Sequence, residues 1–286
     1  MTTADNPMGF DALLPPEMAE RAEEIGVKKA SMDAVTLLSL AVLAGAFIAL
    51  GAVFSIVALS GSPTAAWGPT RILAGVVFSL GLILTVVGGA ELFTGNNLIV
   101  MAWASGRIGT FALVRNWAIV YLGNFVDALS VAVAVVLAGT PHAAGGAFGA
   151  TALRIATDKL RLDFGQAVVL GILCNVLVCL AVWLALSART TTDRILAIVP
   201  PISAFVAAGF EHSIANMFFV PLGILIAVVD PAVIGPLGLG ASAPTLSWST
   251  FLLRNLVPVT VGNVIGGAVL VGGVYWFIYL RRRREA

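Results

Sequence analysis

Apolar residues fill six long stretches of the chain, separated by polar connections. Residues 34–59, 111–138, 166–187 and 249–280 form the first, third, fourth and last of these stretches. Each can cross a bilayer core, which takes roughly 20 apolar residues as a helix. The stretches 71–106 and 194–229 are at least as long, but glycine and polar residues break each near its middle. The pattern predicts an all-α membrane protein with six transmembrane helices, the second and fifth of them broken.

The two breaks are related. "GGAELFTGNNLIV" (88–100) aligns with "AGFEHSIANMFFV" (208–220) at an offset of 120, matching Gly89 with Gly209, Glu91 with Glu211 and Asn96 with Asn216. "RNWAIVYLGN" (115–124) and "RNLVPVTVGN" (254–263) share five of ten positions at an offset of 139. "GAFIALGAVFSIVALS" (45–60) lines up more weakly with "GILCNVLVCLAVWLAL" (171–186). A transmembrane domain over 31–280 therefore reads as two three-helix repeats, about 31–140 and about 164–280. Three crossings is an odd number, so the second copy is expected to be inverted relative to the first. Bare backbone N–H and C=O groups cannot face lipid, so each break must be buried in protein or line a cavity. Two matched breaks point to one substrate path at the repeat interface. Gly88, Gly89, Gly95 and Gly209 permit the turns. Gly51, Gly266 and Gly267 read instead as small residues for close helix packing.

Residues 1–30 read as a cytoplasmic amphipathic segment. Pro15 and Pro16 open a short surface helix with Met18, Ala22 and Ile25 on one face and Glu17, Glu20, Arg21 and Glu24 on the other. The segment lacks the basic start and short apolar core of a cleaved signal peptide, so no processing is expected. Lys and Arg favour the side of the membrane holding Arg21, Lys28, Lys29, Arg107, Arg115, Arg189, Arg194 and the run 281–284. The other side holds Arg71, Arg154, Lys159, Arg161 and Arg254. Both termini are therefore expected in the cytoplasm of a multi-pass inner-membrane protein. The basic tail, 281–286, suits the anionic lipid of that face rather than nucleic acid.

Composition agrees with this class. The chain has 286 residues, 59% hydrophobic and 11% charged, with net charge +1 and mean hydropathy +1.00. A soluble domain would carry about a quarter charged residues. Cys174 and Cys179 lie within one apolar crossing and read as packing residues rather than a disulfide. His212 is one of two histidines and sits in the break of the fifth crossing. An intramembrane imidazole can exchange protons near neutral pH, which makes it the leading functional candidate. His142, in a loop rich in glycine and alanine, reads as an ordinary surface residue. Glu91 and Glu211 are expected to be structural, accepting hydrogen bonds from exposed backbone N–H groups of the breaks. Glu211 is also placed to orient His212. An intramembrane enzyme would use Glu211 and His212 as an acid–base pair. No nucleophile constellation or HExxH metal site accompanies them, so a transporter without cofactor or metal is expected rather than an enzyme.

"GGAELFTGN", "GILCNVLVCLAVWLA", "GFEHSIANMF" and "PVTVGNVIGGAVLVGGVYWFIYLR" resemble the signatures of the formate–nitrite transporter family, and of its formate channel branch in particular. The similarity runs over nearly the whole chain. It implies an aquaporin-like protomer with its own pore, a homopentamer, and formate or related small monovalent anions as cargo, carried by a channel or a formate–proton symporter. Nitrite and hydrosulfide carriers share the framework. The paired Asn-Pro-Ala motifs of aquaporins are absent from the sequence. The resemblance places His212 at the pore centre, with Thr94 on a mobile loop opposite and Asn175 nearby. It makes Leu82 and Leu92 one constriction, and Phe78 and Phe205 the other. Lys159, in a loop expected over 138–163, would attract the anion at the outer mouth. Asp127 departs from the small residue the family pattern favours there.

Overall fold

A computed structural model describes residues 12–61, 65–230 and 246–284. The first part of the amino-terminal segment and the last two residues of the basic tail lie outside the described residues.

Helix α1 (Pro15–Ala30) begins with proline, whose fixed φ suits a first turn, and Glu17 accepts the Leu14 N–H at 2.8 Å. Its apolar face (Met18, Ala19, Ala22) packs with Met101, Trp183 and Leu280. Since Leu280 directly follows the last helix, α1 and the end of that helix lie at one end of the bundle, called here the terminal face.

Helix α2 (Ala34–Leu59) is capped by Asp33, whose carboxylate accepts the Val35 and Thr36 N–H groups. Helix α3 (Trp67–Gly88) stops at a break, after which α4 (Phe93–Asn96), a 3-10 turn and α5 (Val100–Ala104) complete the second crossing. Helix α6 (Thr110–Leu137) is the third crossing. Helix α7 (Ala147–Arg161) fills most of the segment expected to be a loop. Helix α8 (Phe164–Ser187) follows at once, capped reciprocally by Asp163 and Gln166. Helices α9 (Thr191–Ala208) and α10 (Ser213–Val229) flank the second break. The last helix, Trp248–Tyr279, contains two π-helical stretches, Phe251–Leu256 and Ile265–Gly273.

Six of these helices are long and apolar enough to cross a membrane. Small residues set their spacing. A Cβ on Gly45 of α2 would run into the carbonyl of Asn124 on α6, and one on Gly262 into that of Val168 on α8. The outward faces stay apolar, with Leu43, Leu50, Phe54, Leu122 and Leu253 all exposed.

Candidate functional site: two helix breaks around a buried histidine

Each break is built the same way. Gly89 (φ +81°) and Gly209 (φ +76°) take the left-handed conformation that ends α3 and α9, a position that an L side chain would strain. The next N–H groups close back onto the helix ends, Ala90 onto the Thr85 carbonyl and Phe210 onto the Phe205 carbonyl. The chain then runs extended through Leu92 and His212, where no intrasegment ladder is available. Neighbouring helices supply the partners. The N–H of Glu91 donates to the Leu40 carbonyl at 3.1 Å, and that of Glu211 to the Leu170 carbonyl at 3.2 Å. Asn124 clamps the first break: its Oδ1 accepts the Phe93 N–H, and its Nδ2 donates to the carbonyls of Glu91 and Ala41. Asn263 does the same to the second, accepting from Ser213 and donating to Glu211 and Gly171.

Beside each clamp lies a buried charge network. Lys29 Nζ is 3.0 Å from Glu91 Oε1 and donates to Asn96 Oδ1 at 2.9 Å. Asn96 Nδ2 donates to Glu91 Oε2 and to Asn116 Oδ1, and Asn116 Nδ2 donates to the Lys29 carbonyl. In the second half Lys159 Nζ lies 2.7 Å from Glu211 Oε1. Asn216 Nδ2 donates to Glu211 Oε2 and Asn255 Oδ1, and Asn255 Nδ2 donates to the Lys159 carbonyl. One difference stands out: Asn216 Oδ1 is buried with no hydrogen-bond partner, whereas Asn96 Oδ1 takes the lysine.

His212 lies between these networks, 2% exposed, as the N-cap of α10. Its Nδ1 accepts the Ala215 N–H at 3.0 Å, which assigns the ring proton to Nε2. Nε2 is 3.0 Å from Thr94 Oγ1 and therefore donates to it. The Thr94 hydroxyl hydrogen then has no acceptor among the described residues and is free to meet a guest. Asn175 holds the Thr94 loop from α8. Its Nδ2 faces the Thr94 carbonyl at 3.3 Å, the Asn97 Oδ1 at 3.0 Å and the Asn263 carbonyl at 2.7 Å.

A cavity approaches this centre from each end. The one open toward the terminal face, about 650 Å³, is lined by Lys29, Glu91, Leu82 and Leu92 among others. The far one, about 260 Å³, is lined by Lys159, Glu211, Phe78, Phe205 and His212. Phe205 meets Phe78 edge-on at 5.6 Å and lies nearly parallel to the His212 ring at 5.8 Å.

The sequence model of formate/nitrite transporters matches residues 16–277. The chain belongs to the formate/nitrite transporter family. It is 48% identical over 283 residues to the formate channel FocA of Escherichia coli strain K12, covering 97% of this chain and 98% of that one. It is 40% identical over 274 residues to FocA of Haemophilus influenzae, covering 95% and 96%. Among solved structures it is similar to a pentameric formate channel with formate bound (TM-score 0.80, 42% identity, 87% of this chain and 98% of that one). An FNT family ion channel also matches (TM-score 0.77, 25% identity, 92% and 98%).

As a member of this family, the chain brings His212, Thr94 and Asn175 to one centre, with Asn175 reaching Thr94's carbonyl rather than the imidazole. Phe78 and Phe205 wall the far cavity, and Leu82 and Leu92 wall the other. Two expectations need correction. Lys159 stands on α7, not in a loop, because the 147–161 stretch buries Phe148, Ala152, Leu153, Ala156 and Leu160 along one face. The Glu91 and Glu211 carboxylates bind lysine ammonium and asparagine amide groups, while the backbone N–H groups of the breaks go to Asn124, Asn263 and the α2 and α8 carbonyls. His142 pairs with Asp230 at 3.5 Å, and Asp127 lies part-buried on α6 away from both cavities. Sequence reasoning missed Lys29 and the asparagines at 97, 116, 124, 255 and 263. For four of these the signal was present in the matched "RN…GN" pairs.

Proposed function

We propose that the protein conducts formate across the cell's inner membrane as a homopentamer whose protomers each hold a pore, with the terminal face in the cytoplasm. The observation that carries this reading is the buried His212–Thr94 pair, which leaves the Thr94 hydroxyl as a donor between cavities that each hold an ammonium group. The relatives named as formate channels and the pentameric channel holding formate support the cargo and the assembly. The Lys and Arg excess at the terminal face supports the orientation. The matched clamps support reading the halves as inverted repeats about one path.

Formate gathers in the far cavity, where Lys159 Nζ donates to Glu211 alone among the described residues and keeps N–H groups for an anion. The Phe78–Phe205 constriction offers no polar replacement for water, so the anion's charge is costly to carry through it. Beyond the rings the Thr94 hydroxyl, its oxygen held by the Nε2–H of His212, supplies a donor to the carboxylate. A proton drawn from the water of the far cavity and exchanged at the His212–Thr94 pair converts formate to formic acid, which passes Leu82 and Leu92 at low electrostatic cost. If the proton leaves with the cargo the protein is a symporter; if it returns, a channel.

The test is uptake of labelled formate, nitrite and hydrosulfide into proteoliposomes with an imposed pH gradient. Formate accumulation driven by an acidic exterior is expected. Flux of nitrite or hydrosulfide without flux of formate overturns the cargo assignment, and formate flux indifferent to the gradient identifies the channel mode.

A further inference from the structure

Arg71 belongs to no part of the network described above, yet it lines the same far cavity as Lys159, Glu211 and His212. It stands near the start of α3 and reaches across to the end of α9. Its Nε donates to the Ala207 carbonyl at 3.2 Å and its Nη2 to the Val206 carbonyl at 2.8 Å. Those are the terminal carbonyls of a half-helix that stops at Gly209, and they carry the negative end of its dipole. The fit is close: a Cβ on Gly209 would lie 3.1 Å from Nη2.

The charges of this cavity decide what Arg71 does. Lys159 is bound to Glu211 at 2.7 Å, so the two nearly cancel at a distance. Asp158, also on the wall, has Arg161 at 3.7 Å. Among the described residues Arg71 forms no ion pair. Without it the α9 carbonyls would present negative charge to any anion approaching His212. We infer that Arg71 is an anion-attracting residue of the far cavity: its guanidinium, without an acidic partner among the described residues, more than offsets the α9 carbonyl end and adds a long-range attraction to the local N–H groups of Lys159. By holding the end of α9 it also positions Phe205, which lies one residue before the first carbonyl it binds. This inference rests on the reading of the protein as an anion conductor.

The test uses Arg71→Gln, which can still donate to one carbonyl but has no charge, and Arg71→Lys, which keeps the charge but not the fork. Formate uptake into proteoliposomes is measured against concentration at low and high ionic strength, alongside the thermal stability of the solubilised assembly. Arg71→Gln is expected to raise the half-saturating concentration about three- to tenfold at low salt, an effect that fades as salt screens the charge. Arg71→Lys is expected to keep the low-salt value with a lower melting temperature. A Gln variant equal to wild type at low salt overturns the inference. So does a loss of equal size at both salt concentrations, which would make the side chain a prop for α9 only. If the wild type carries nitrite or hydrosulfide instead of formate, the cargo assignment fails, and the same comparison with that anion still decides the role of Arg71.

Discussion

Lys29, near the end of the amino-terminal helix, and Lys159, near the end of α7, occupy matching positions in the two halves of the chain. Each places its ammonium on the glutamate of a helix break, and each offers its backbone carbonyl to an asparagine amide (Asn116 or Asn255). The repeated unit of contacts thus includes a short helix before each set of three crossings. A lysine that seemed part of a surface helix is therefore held in the same way as the one expected at the pore mouth.

Removing the lysine of either pair leaves a carboxylate buried at 3% exposure without its cation. Such a broken pair is expected to cost roughly 3–5 kcal/mol. Lys159→Met should lower the melting temperature of the assembly and reduce formate flux, because Glu211 then faces the far cavity bare. Adding Glu211→Gln should recover most of the stability, since the neutral amide needs no cation. The same holds for Lys29→Met with Glu91→Gln. Double-mutant cycles read by thermal unfolding check this, and additive losses would show that lysine and glutamate are not coupled.

His212 has two separable tasks, capping α10 through Nδ1 and donating to Thr94 through Nε2. His212→Asn keeps a capping acceptor and loses the titrating ring. It is expected to assemble at near wild-type stability while its formate uptake no longer responds to an imposed pH gradient. His212→Phe loses both tasks and should be destabilised by about 1 kcal/mol more than the asparagine variant. Gradient-driven uptake surviving in a folded His212→Asn assembly would remove the ring from proton exchange.

The crossings and the breaks were legible because apolar length and embedded glycines are local properties of sequence, and 34–59 matches helix α2 as observed. The match between the breaks was legible for the same reason: Glu91 and Glu211 stand out in apolar surroundings. The weak alignment of Gly45 with Gly171 was misleading. In the structure Ala41 and Gly171 are equivalent, each giving its carbonyl to a clamping asparagine, so the correct register is one helical turn away. In a uniformly apolar helix a shift of four residues nearly restores the same face, and nothing in the pattern penalises it. Lys29 escaped notice because its partner lies 62 residues on, and pairing across that separation depends on how α1 docks.

Asp33 gives the amino-terminal end of α2 a pH dependence of known sign. The N–H of Thr36, then its hydroxyl, and after them the N–H of Val35 hold its carboxyl below the ordinary value of 3.8. A depressed carboxyl stabilises the fold above that value, and the contribution is lost as pH falls through the lower folded-state value. Asp33→Ala should therefore melt lower than wild type at neutral pH, with the gap closing in strong acid. Asp33→Asn, a cap that does not titrate, should keep most of the stability without the acid-side loss. Melting curves of the three assemblies across pH check this, and a gap that persists unchanged in acid would mean the carboxylate charge does not matter.

Asn124 and Asn263 carry the heaviest structural demand in the site, since each satisfies two backbone groups of a broken crossing and one carbonyl of a neighbouring helix. Both are fully buried, so no water stands ready to replace them. Replacing either with leucine strands those groups at about 1–3 kcal/mol each, enough to threaten folding altogether. Aspartate is the informative substitution, because it keeps the acceptor for Phe93 or Ser213 and loses the donor to the two carbonyls. Asn263→Asp is expected to slacken the segment carrying His212, reducing flux more than Asn124→Asp, which acts through the Thr94 side. Both variants should retain the oligomer on size-exclusion chromatography with lower melting temperatures than wild type. If Asn263→Asp melts and conducts as wild type does, the second break is held by other contacts, with the Leu170 carbonyl the remaining candidate on the neighbouring helix.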